Sequence, residues 1–391
     1  MTEVSSKQVL PADSIPVPTT VTTGPAPKLR RVKRVGVLTS GGDCPGLNAV
    51  IRAIAKTAIQ QYGIEVWGIE DGFIGLIQNR MQPMRVTDVS NILTLGGTIL
   101  GTNNKCDPRR YAIKNNGQIH YANVTDRCLE HIALRQLDAL IVIGGDGSMA
   151  VAGHLIQQGV ACIGVPKTID NDLIGTDVTF GFGTAVAIAS DAIDRIHTTA
   201  ASHHRAMIIE VMGRNAGWIA LHAGMASGAD VILIPEIPFD IRKICGAVVQ
   251  RSNQGKRSSI LCISEGAMPK GGKQTVARMD PTSPDPIRLG GVGQVVGTEI
   301  EKATGIETRT AVLGHVQRGG EPTAADRVLA TQFGYAAVEL LAQDRMGRLV
   351  ALQAGKITDV DIMEVVGKQR LVPLDSPLLQ AARAIGTCFG D

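Results

Sequence analysis

The stretch Val35-Gly-Val-Leu-Thr39 is followed, after a short polar turn, by Asn48-Ala-Val-Ile-Arg-Ala-Ile-Ala-Lys56 and then by Gly63. The first segment is rich in β-branched residues and predicts a buried strand, whereas the second carries apolar residues at helical spacing. Gly63 is a typical stop for that helix. Because a strand followed at once by a helix is the repeating unit of a parallel sheet, this stretch indicates an α/β fold.

The same alternation continues along almost the whole chain. Its 391 residues are long for one hydrophobic core and predict two Rossmann-like lobes, each with a parallel-rich sheet covered by helices. Residues 267–290 are rich in Gly, Pro and Lys without periodicity and predict a mobile loop. Candidate strands lie at residues 139–143, 160–165, 206–211, 230–234, 259–263 and 308–313, and helix-like segments lie at 183–201 and 322–342.

Composition excludes several classes of protein. No apolar run approaches the ~20 residues that span a bilayer, and no secretory signal precedes the body, so we expect a cytoplasmic protein without a membrane partner. The seven cysteines form no C-x-x-C pair, which predicts reduced thiols rather than disulfides or a zinc site. The near-neutral body argues against binding to nucleic acid.

The N-terminal segment differs in character from the rest. Residues 1–34 contain six lysines and arginines, two acidic residues and five prolines. This composition predicts a disordered leader over residues 1–33. A transit peptide is the alternative, and its acids and prolines disfavour it.

The segment Gly144-Gly-Asp-Gly-Ser148 follows a predicted strand and opens a predicted helix. Glycines let backbone N–H groups approach phosphate oxygens, and the helix N-terminus favours an anion. The same residues satisfy the G-x-G-x-x-A dinucleotide fingerprint, with Asp170 as a candidate ribose-binding acid, so a dehydrogenase stays open as an alternative.

A second glycine-rich turn, Gly41 to Gly46, lacks the lysine of a Walker A loop, because Leu47 and Asn48 follow it. The positive charge for a phosphate chain must therefore come from elsewhere. Mg²⁺ held by carboxylates is the ordinary substitute, and Asp146 inside the glycine loop is placed to recruit it.

Another predicted strand ends in a charged segment, Lys167-Thr-Ile-Asp-Asn-Asp172. If it runs extended, Thr168, Asp170 and Asp172 point to one side. One carboxylate can then deprotonate a substrate hydroxyl while the other supports a metal, which is what phosphoryl transfer requires.

Cationic residues lie at or beside the strand ends of the second predicted lobe. Arginine matches phosphate in a bidentate manner, so the cluster indicates a phosphorylated substrate. Its members are Arg205, Arg214, Arg309, His315 and Arg318.

Five ordered motifs together resemble the 6-phosphofructokinase family, over the chain from about residue 34 to its end. The resemblance implies transfer of a phosphoryl group from Mg-ATP to the 1-hydroxyl of fructose 6-phosphate, and a homotetramer. It implies a nucleotide-binding lobe at residues 34–181 plus about 316–370 and a sugar-phosphate-binding lobe at 182–315 plus about 371–391. The motifs are Gly36-Val-Leu-Thr-Ser-Gly-Gly-Asp-Cys-Pro-Gly-Leu-Asn48, Ile143-Gly-Gly-Asp-Gly-Ser148, Thr168-Ile-Asp-Asn-Asp172, Glu210-Val-Met-Gly-Arg214 and Gly314-His-Val-Gln-Arg-Gly-Gly320.

The resemblance also implies a role for individual residues. Asp170 would be the base for the sugar hydroxyl, Asp172 and Thr168 would support the transferring phosphoryl group, and Arg214 would act with them. Gly42, Gly145, Gly147 and Ser148 would hold the nucleotide, and Asp146 would serve Mg²⁺. Fructose 6-phosphate would contact Met212, Gly213, Arg214, Glu265, His315 and Arg318, with Arg205 and Arg309 reaching in from a neighbouring subunit.

Two positions depart from the common pattern of the family. Asn104 or Lys105 stands where bacterial relatives place an arginine on the nucleotide phosphates. Relatives that use diphosphate generally pair Lys at position 167 with Asp at position 147, whereas this chain pairs Lys167 with Gly147. Because a carboxylate at 147 would repel a nucleotide α-phosphate, its absence favours ATP over diphosphate. A non-catalytic regulatory relative is a further alternative, which the intact acids disfavour.

Overall fold

The computed structural model describes residues 32–391 except 116, 117, 281, 284 and 285, and only the backbone of residues 114 and 115. All but the last two residues of the predicted leader lie outside this range. The strands are β1 (Arg34–Thr39), β2 (Glu65–Ile69), β3 (Met81–Met84), β4 (Tyr111–Asn115), β5 (Gln118–Ala122), β6 (Ala139–Gly144), β7 (Cys162–Thr168), β8 (Phe180–Gly181), β9 (Ala206–Val211), β10 (Val231–Leu233), β11 (Ser259–Ser264), β12 (Val276–Met279), β13 (Ile287–Leu289), β14 (Thr308–Val312), β15 (Arg348–Gln353) and β16 (Lys356–Asp361). The helices are α1 (Leu47–Tyr62), α2 (Phe73–Gln78), α3 (Thr125–Leu134), α4 (Asp146–Gln157), α5 (Phe182–His203), α6 (Trp218–Ala226), α7 (Ile241–Asn253), α8 (Val292–Thr304), α9 (Ala324–Ala342), α10 (Ile362–Val365) and α11 (Pro377–Ala384).

The larger sheet has the strand order β16-β15-β7-β6-β1-β2-β3, with β8 paired to β7. Its strands from β15 to β2 are parallel, and the two edge strands, β16 and β3, are antiparallel. Every residue of β6 is buried, as expected for a strand covered by helices on both faces. Crossover helices supply that cover, and this explains the strand and helix alternation in the sequence.

The smaller sheet has the order β10-β11-β9-β14 and is parallel throughout. One apolar cluster includes residues of α1, α5, α6 and α9, and it joins inward-facing positions of the two sheets. Two further clusters cover the outer faces, one involving α2 and α4 on the larger sheet and one involving α7 and α8 on the smaller. The predicted fold class, two parallel-rich sheets covered by helices, is confirmed.

Helix α1 shows how local sequence produces these elements. Val35 and Val37 face one apolar cluster while Leu38 faces another, so β1 is buried on both sides. The chain then enters α1 through Gly46 and leaves it at Gly63, and both glycines have positive φ. The N–H of Gly63 donates to the carbonyl of Ala58, which satisfies part of the helix C-terminus. The predicted stop at Gly63 is confirmed.

The segment predicted as a loop, residues 267–290, contains an antiparallel hairpin of β12 and β13. The loop prediction is therefore wrong for these strands. All four residues of β12 are exposed, and the pairing register shifts between Val276 and Arg278. With neither face of β12 buried, the sequence carries no alternation to reveal it.

The described part of the chain holds no helix that is both long and apolar enough to cross a membrane. All seven cysteines are free thiols.

Candidate active site

The carboxyl ends of the two sheets face each other across a cavity of about 580 Å³. Strands β1, β6 and β7 reach it from the larger sheet, and β9, β11 and β14 reach it from the smaller one. Ligands of α/β proteins bind at this position because the connecting loops leave a crevice there. The predicted site residues that line the cavity are Gly42, Asn104, Gly145, Asp146, Gly147, Ser148, Lys167, Thr168, Asp170, Asp172, Met212, Arg214, Glu265, His315 and Arg318.

The loop between β6 and α4 has the geometry of an anion cradle. A Cβ atom on Gly144 would lie 2.2 Å from the Cβ of Ser148, so only glycine fits there. A Cβ on Gly147 would meet no atom within 4 Å, which leaves open space beside the start of α4. The Asp146 carboxylate accepts a hydrogen bond from the Gly147 N–H at 2.7 Å. Gly145 to Ser148 line the cavity, so the N-terminal turn of α4 lies beside it, where a helix N-terminus favours an anion.

Two cationic side chains hold the neighbouring loop after β1. Buried Lys167 donates a hydrogen bond from Nζ to the carbonyl of Gly42, and Arg318 donates to the carbonyl of Asp43 at 3.0 Å. A Cβ on Gly42 would lie 2.8 Å from an Arg318 guanidinium nitrogen. Burial lowers the pKa of Lys167. The backbone of the loop is therefore held from the end of β7 and from the segment that follows β14.

The segment that follows β7 does not continue as an extended strand. Asn171 has φ 53°, a left-handed conformation, and its side-chain oxygen accepts from the Thr179 N–H at 3.0 Å. The condition of an extended run from Thr168 to Asp172 is therefore not met, because this side-chain bond stabilises a turn. Thr168, Asp170 and Asp172 nevertheless all line the cavity.

The carboxylates in the cavity are perturbed by burial. Burial raises the pKa of Asp170, and the positive charges of Arg318 and Arg214 oppose that shift. Burial and the negative charges of Asp170 and Asp146 raise the pKa of Asp172 to about 7. The Oδ1 atom of Asp170 is buried and has no hydrogen-bond partner among the described residues. A buried acceptor of this kind is suited to a proton-bearing substrate group.

The smaller sheet contributes a strained arginine. Arg214 has φ 50°, and its N–H donates to the Glu265 carboxylate at 3.3 Å. A Cβ on Gly266 would lie 1.6 Å from the Arg214 carbonyl oxygen, so the two segments touch through their backbones. Burial, with a contribution from Asp170, raises the pKa of Glu265 to about 7. Strain in a non-glycine residue beside a cavity is typical of functional sites.

The sequence that carries these strand ends and the glycine loop matches a known family. A family model described as phosphofructokinase matches residues 34–341. The chain belongs to the phosphofructokinase family. The predicted resemblance is thereby confirmed, and the dehydrogenase alternative is set aside.

Individual members of the phosphofructokinase family are similar over nearly the full chain. An ATP-dependent 6-phosphofructokinase 2 of Clostridium perfringens is 48% identical over 365 residues, which cover 93% of this chain and 100% of that protein. A pyrophosphate–fructose 6-phosphate 1-phosphotransferase of Amycolatopsis mediterranei is 46% identical over 342 residues, which cover 88% of this chain and 97% of that one. The solved phosphofructokinase of Saccharomyces cerevisiae superimposes with a TM-score of 0.70 at 30% identity, over 85% of this chain and 45% of the longer yeast chain.

Four predicted phosphofructokinase residues lie outside the cavity lining. Gly213 turns the backbone between Met212 and Arg214 with φ 136°. Lys105 pairs with Asp280 of the β12–β13 hairpin at 2.9 Å, so Asn104 is the member of that pair that lines the cavity.

Arg205 and Arg309 lie near the amino ends of β9 and β14, opposite the cavity. Arg205 pairs with Glu307 at 2.7 Å, and Arg309 pairs with the other oxygen of the same carboxylate. Within one chain these two arginines do not reach the cavity. Their donation to a neighbouring phosphofructokinase subunit stays a prediction.

Several residues that line the cavity escaped the sequence reasoning. Arg109 forms an ion pair with Asp107 at 2.6 Å, and both lie shortly after Asn104. The sequence signal for Arg109 and Asp107 was their position shortly after Asn104, where the chain departs from the family pattern. Asn215 directly follows the motif that ends at Arg214, whereas Ser283, Arg288 and Gln369 come from segments without a motif.

Proposed function

We propose that the protein transfers the γ-phosphoryl group of ATP to the 1-hydroxyl of fructose 6-phosphate, giving fructose 1,6-bisphosphate and ADP. The observation that carries this proposal is the placement of Asp170. Its buried, unpartnered carboxylate oxygen lies in one cavity with the glycine cradle of α4 and with Arg214 and Arg318. A base placed between a phosphate-chain site and a sugar-phosphate site is the arrangement that in-line phosphoryl transfer needs.

Each lobe takes one substrate in this proposal. The nucleotide lies on the larger-sheet lobe, with its phosphates at Gly42, Gly145, Gly147 and Ser148, and the nucleotide-binding lobe is residues 34–181 plus about 316–370. The sugar phosphate lies on the smaller-sheet lobe, residues 182–315 plus about 371–391. Its contacts are Met212, Gly213, Arg214, Glu265, His315 and Arg318.

The roles at the reacting centre follow from charge and position. Asp170 accepts the proton of the sugar hydroxyl as that oxygen attacks the γ-phosphorus, and the bond to the ADP oxygen breaks. Arg214 neutralises charge on the transferring group, because Arg214 lines the same cavity as Asp170 and its positive charge acts on that carboxylate. Thr168 and Asp172 support that group from the end of β7.

The choice of ATP rests on the space beside Gly147. A Cβ there would meet no atom within 4 Å, so the position leaves room beside the cradle for a nucleotide phosphate. The ammonium of Lys167 is hydrogen-bonded to the Gly42 carbonyl, so its presence is compatible with a nucleotide. The relative in Clostridium perfringens carries the name of an ATP-dependent enzyme.

Diphosphate is the second candidate donor. Lys167 favours it, since a lysine at this position is usual in diphosphate-dependent members. The relative in Amycolatopsis mediterranei is named for pyrophosphate at 46% identity.

Mg²⁺ is the metal that fits this donor set. No group of three or more His, Cys, Asp or Glu side chains among the described residues could hold a metal ion by itself. Mg²⁺ in kinases is commonly bound by one or two carboxylates together with substrate phosphates, and the hard oxygens of Asp146 suit it. Bound there, the ion would neutralise phosphate charge.

A homotetramer is part of the proposal. Arg205 and Arg309 lie at the far end of the smaller sheet from their own cavity, so they can serve fructose 6-phosphate only at a neighbouring subunit's cavity. We also propose a cytoplasmic location, because the proposed reaction is a step of glycolysis.

A coupled assay tests the function directly. Purified protein with Mg²⁺ and fructose 6-phosphate is given either ATP or diphosphate, and fructose 1,6-bisphosphate is followed through aldolase and glycerol-3-phosphate dehydrogenase. We expect turnover with ATP and none with diphosphate. Faster turnover with saturating diphosphate would replace ATP by the second candidate. Binding of fructose 6-phosphate without any turnover would show a regulatory protein instead of an enzyme.

A further inference from the structure

Three side-chain amides form a directed chain of hydrogen bonds that ends on Asp172. Gln369 donates from Nε2 to Asp172 Oδ2 at 3.4 Å, and its Oε1 accepts from Asn215 Nδ2 at 3.2 Å. Asn215 Oδ1 in turn accepts from Gln274 Nε2 at 3.4 Å. Every donor points towards the carboxylate, so each amide polarises the next in the sense that favours the anion.

The backbone around Gln369 holds its amide in place. The Arg370 N–H donates to the Asp172 carbonyl at 2.7 Å, and Gln369 forms an antiparallel bridge with Leu173. The Arg370 carbonyl accepts from the indole N–H of Trp218 at 2.9 Å, and the guanidinium lies 4.2 Å from the centre of that indole ring. The segment is thus fixed to both lobes, and its side chain needs little ordering to reach Asp172.

The far end of the chain lies at the base of the β12–β13 hairpin. Gln274 lies two residues before the first residue of β12, and it also donates to the Gly266 carbonyl at 3.2 Å. The hairpin lines the cavity through Arg288, and its Asp280 pairs with Lys105. A hydrogen-bond path therefore runs from the hairpin to the reacting centre.

Charged neighbours of both signs act on the Asp172 carboxylate, so their charges alone do not fix its orientation. Asp170 and Asp146 repel its charge, while Arg214 attracts it. Asp172 is only 6% exposed, so water offers little help in orienting its carboxylate. A donor fixed on one oxygen decides how the other oxygen is presented.

We propose that Gln369 is a positioning residue for Asp172, and that Asn215 and Gln274 connect it to the hairpin. The proposal rests on the proposed phosphoryl transfer, in which Asp172 supports the transferring group. Gln369 holds Oδ2 before the substrates arrive, and seating of the hairpin keeps the amide chain intact.

The test replaces Gln369 with methionine, which has nearly the same shape but no amide. Since Asp172 acts on the transferring group, we expect kcat to fall about 5- to 30-fold, with KM for fructose 6-phosphate within about twofold. Gln343→Met, at an exposed glutamine after α9, is the matched control and should change neither constant. A structural role alone would not separate kcat from KM in this way.

A second variant tests the chain itself. Gln274→Met should lower kcat about 2- to 5-fold, and the double variant should be no slower than Gln369→Met alone, because both changes break one path. If Gln369→Met fails to fold, the same split between kcat and KM in Gln274→Met carries the test.

The outcomes separate this proposal from the proposed function. A wild-type protein that makes no fructose 1,6-bisphosphate overturns the function itself. If the wild type is active and Gln369→Met keeps kcat within twofold, the positioning role is wrong. Effects that multiply in the double variant overturn the connection to the hairpin.

Discussion

Replacing Asp170 with asparagine tests the proposed base at the reacting centre. Asparagine has nearly the shape and volume of aspartate, and the residue 170 N–H can still donate to Thr168 Oγ1, as it does now at 3.0 Å. The buried Oδ1 atom has no hydrogen-bond partner among the described residues, so no contact of that atom is broken. The substitution therefore removes the charge and the proton acceptor while leaving the packing in place.

The expected loss of kcat is large because we expect no other carboxylate to replace Asp170 as the base. Asp172 lies two residues along the chain, and its Oδ2 is engaged by Gln369. A positioned general base typically contributes about 10²- to 10⁴-fold, so kcat should fall by at least ~10²-fold, which is about 3 kcal/mol in the barrier. Fructose 6-phosphate affinity should stay within about threefold, because Arg214 and Arg318 remain.

The assay measures kcat by fructose 1,6-bisphosphate formation and sugar-phosphate affinity by calorimetry. Asp194→Asn, at an exposed position on α5, is the control and should behave as the wild type. Burial raises the pKa of Asp170, and a base must be ionised, so wild-type kcat/KM should decline as the pH falls through that raised value. Activity within tenfold of the wild type, or an unchanged acid limb in the variant, would refute the role.

Three other changes test the donor site, a buried carboxyl and the proposed assembly. Gly147→Asp should fold normally, since its Cβ meets nothing within 4 Å, yet raise KM for ATP by about 10²-fold through charge repulsion of some 3 kcal/mol; an unchanged KM in steady-state kinetics would contradict the reasoning. Burial raises the pKa of Glu265 from 4.5 to about 7, so the folded protein keeps a proton that the unfolded chain releases, and stability declines as the pH rises through 7. Between pH 6 and pH 8 the free energy of unfolding, measured with urea, should fall by about 1 kcal/mol less in Glu265→Gln than in the wild type. An equal fall in both proteins would show that Glu265 is not the cause. Arg309→Ala mixed with Asp170→Asn should regain activity that neither variant has alone, if subunits share sites; inactive mixed oligomers, once subunit exchange is demonstrated, would rule out donation of Arg309.

Much of the fold was predictable because its signals are local. The run from Val35 to Thr39 and the helix that ends at Gly63 are each determined by residues close in the chain. Apolar periodicity and helix stops depend on residues a few positions apart, so they can be recognised in the sequence without the tertiary structure. Exposed β12 lacks such a signal, and its hairpin was missed.

Candidate site residues were predictable where they directly follow the carboxyl ends of strands. Gly145, Asp146 and Asp170 come directly after strands of one sheet, and the carboxyl ends of parallel strands meet at one edge. The geometry between Thr168 and Asp172 was not predictable, because the left-handed turn at Asn171 depends on a bond to Thr179. The sequence also left two candidates, Asn104 and Lys105, of which Lys105 pairs with Asp280 and Asn104 lines the cavity.

The sequence by itself determined the class of fold, the candidate phosphate loop and the candidate acids. Tertiary structure alone decided that Gln369 would touch Asp172, that Arg288 would reach the cavity, and that Arg309 would not. The physical reason is the range of the interactions. Apolar periodicity is a property of a single helix or strand. A contact between distant segments forms only after strand order and helix packing have fixed where each loop ends.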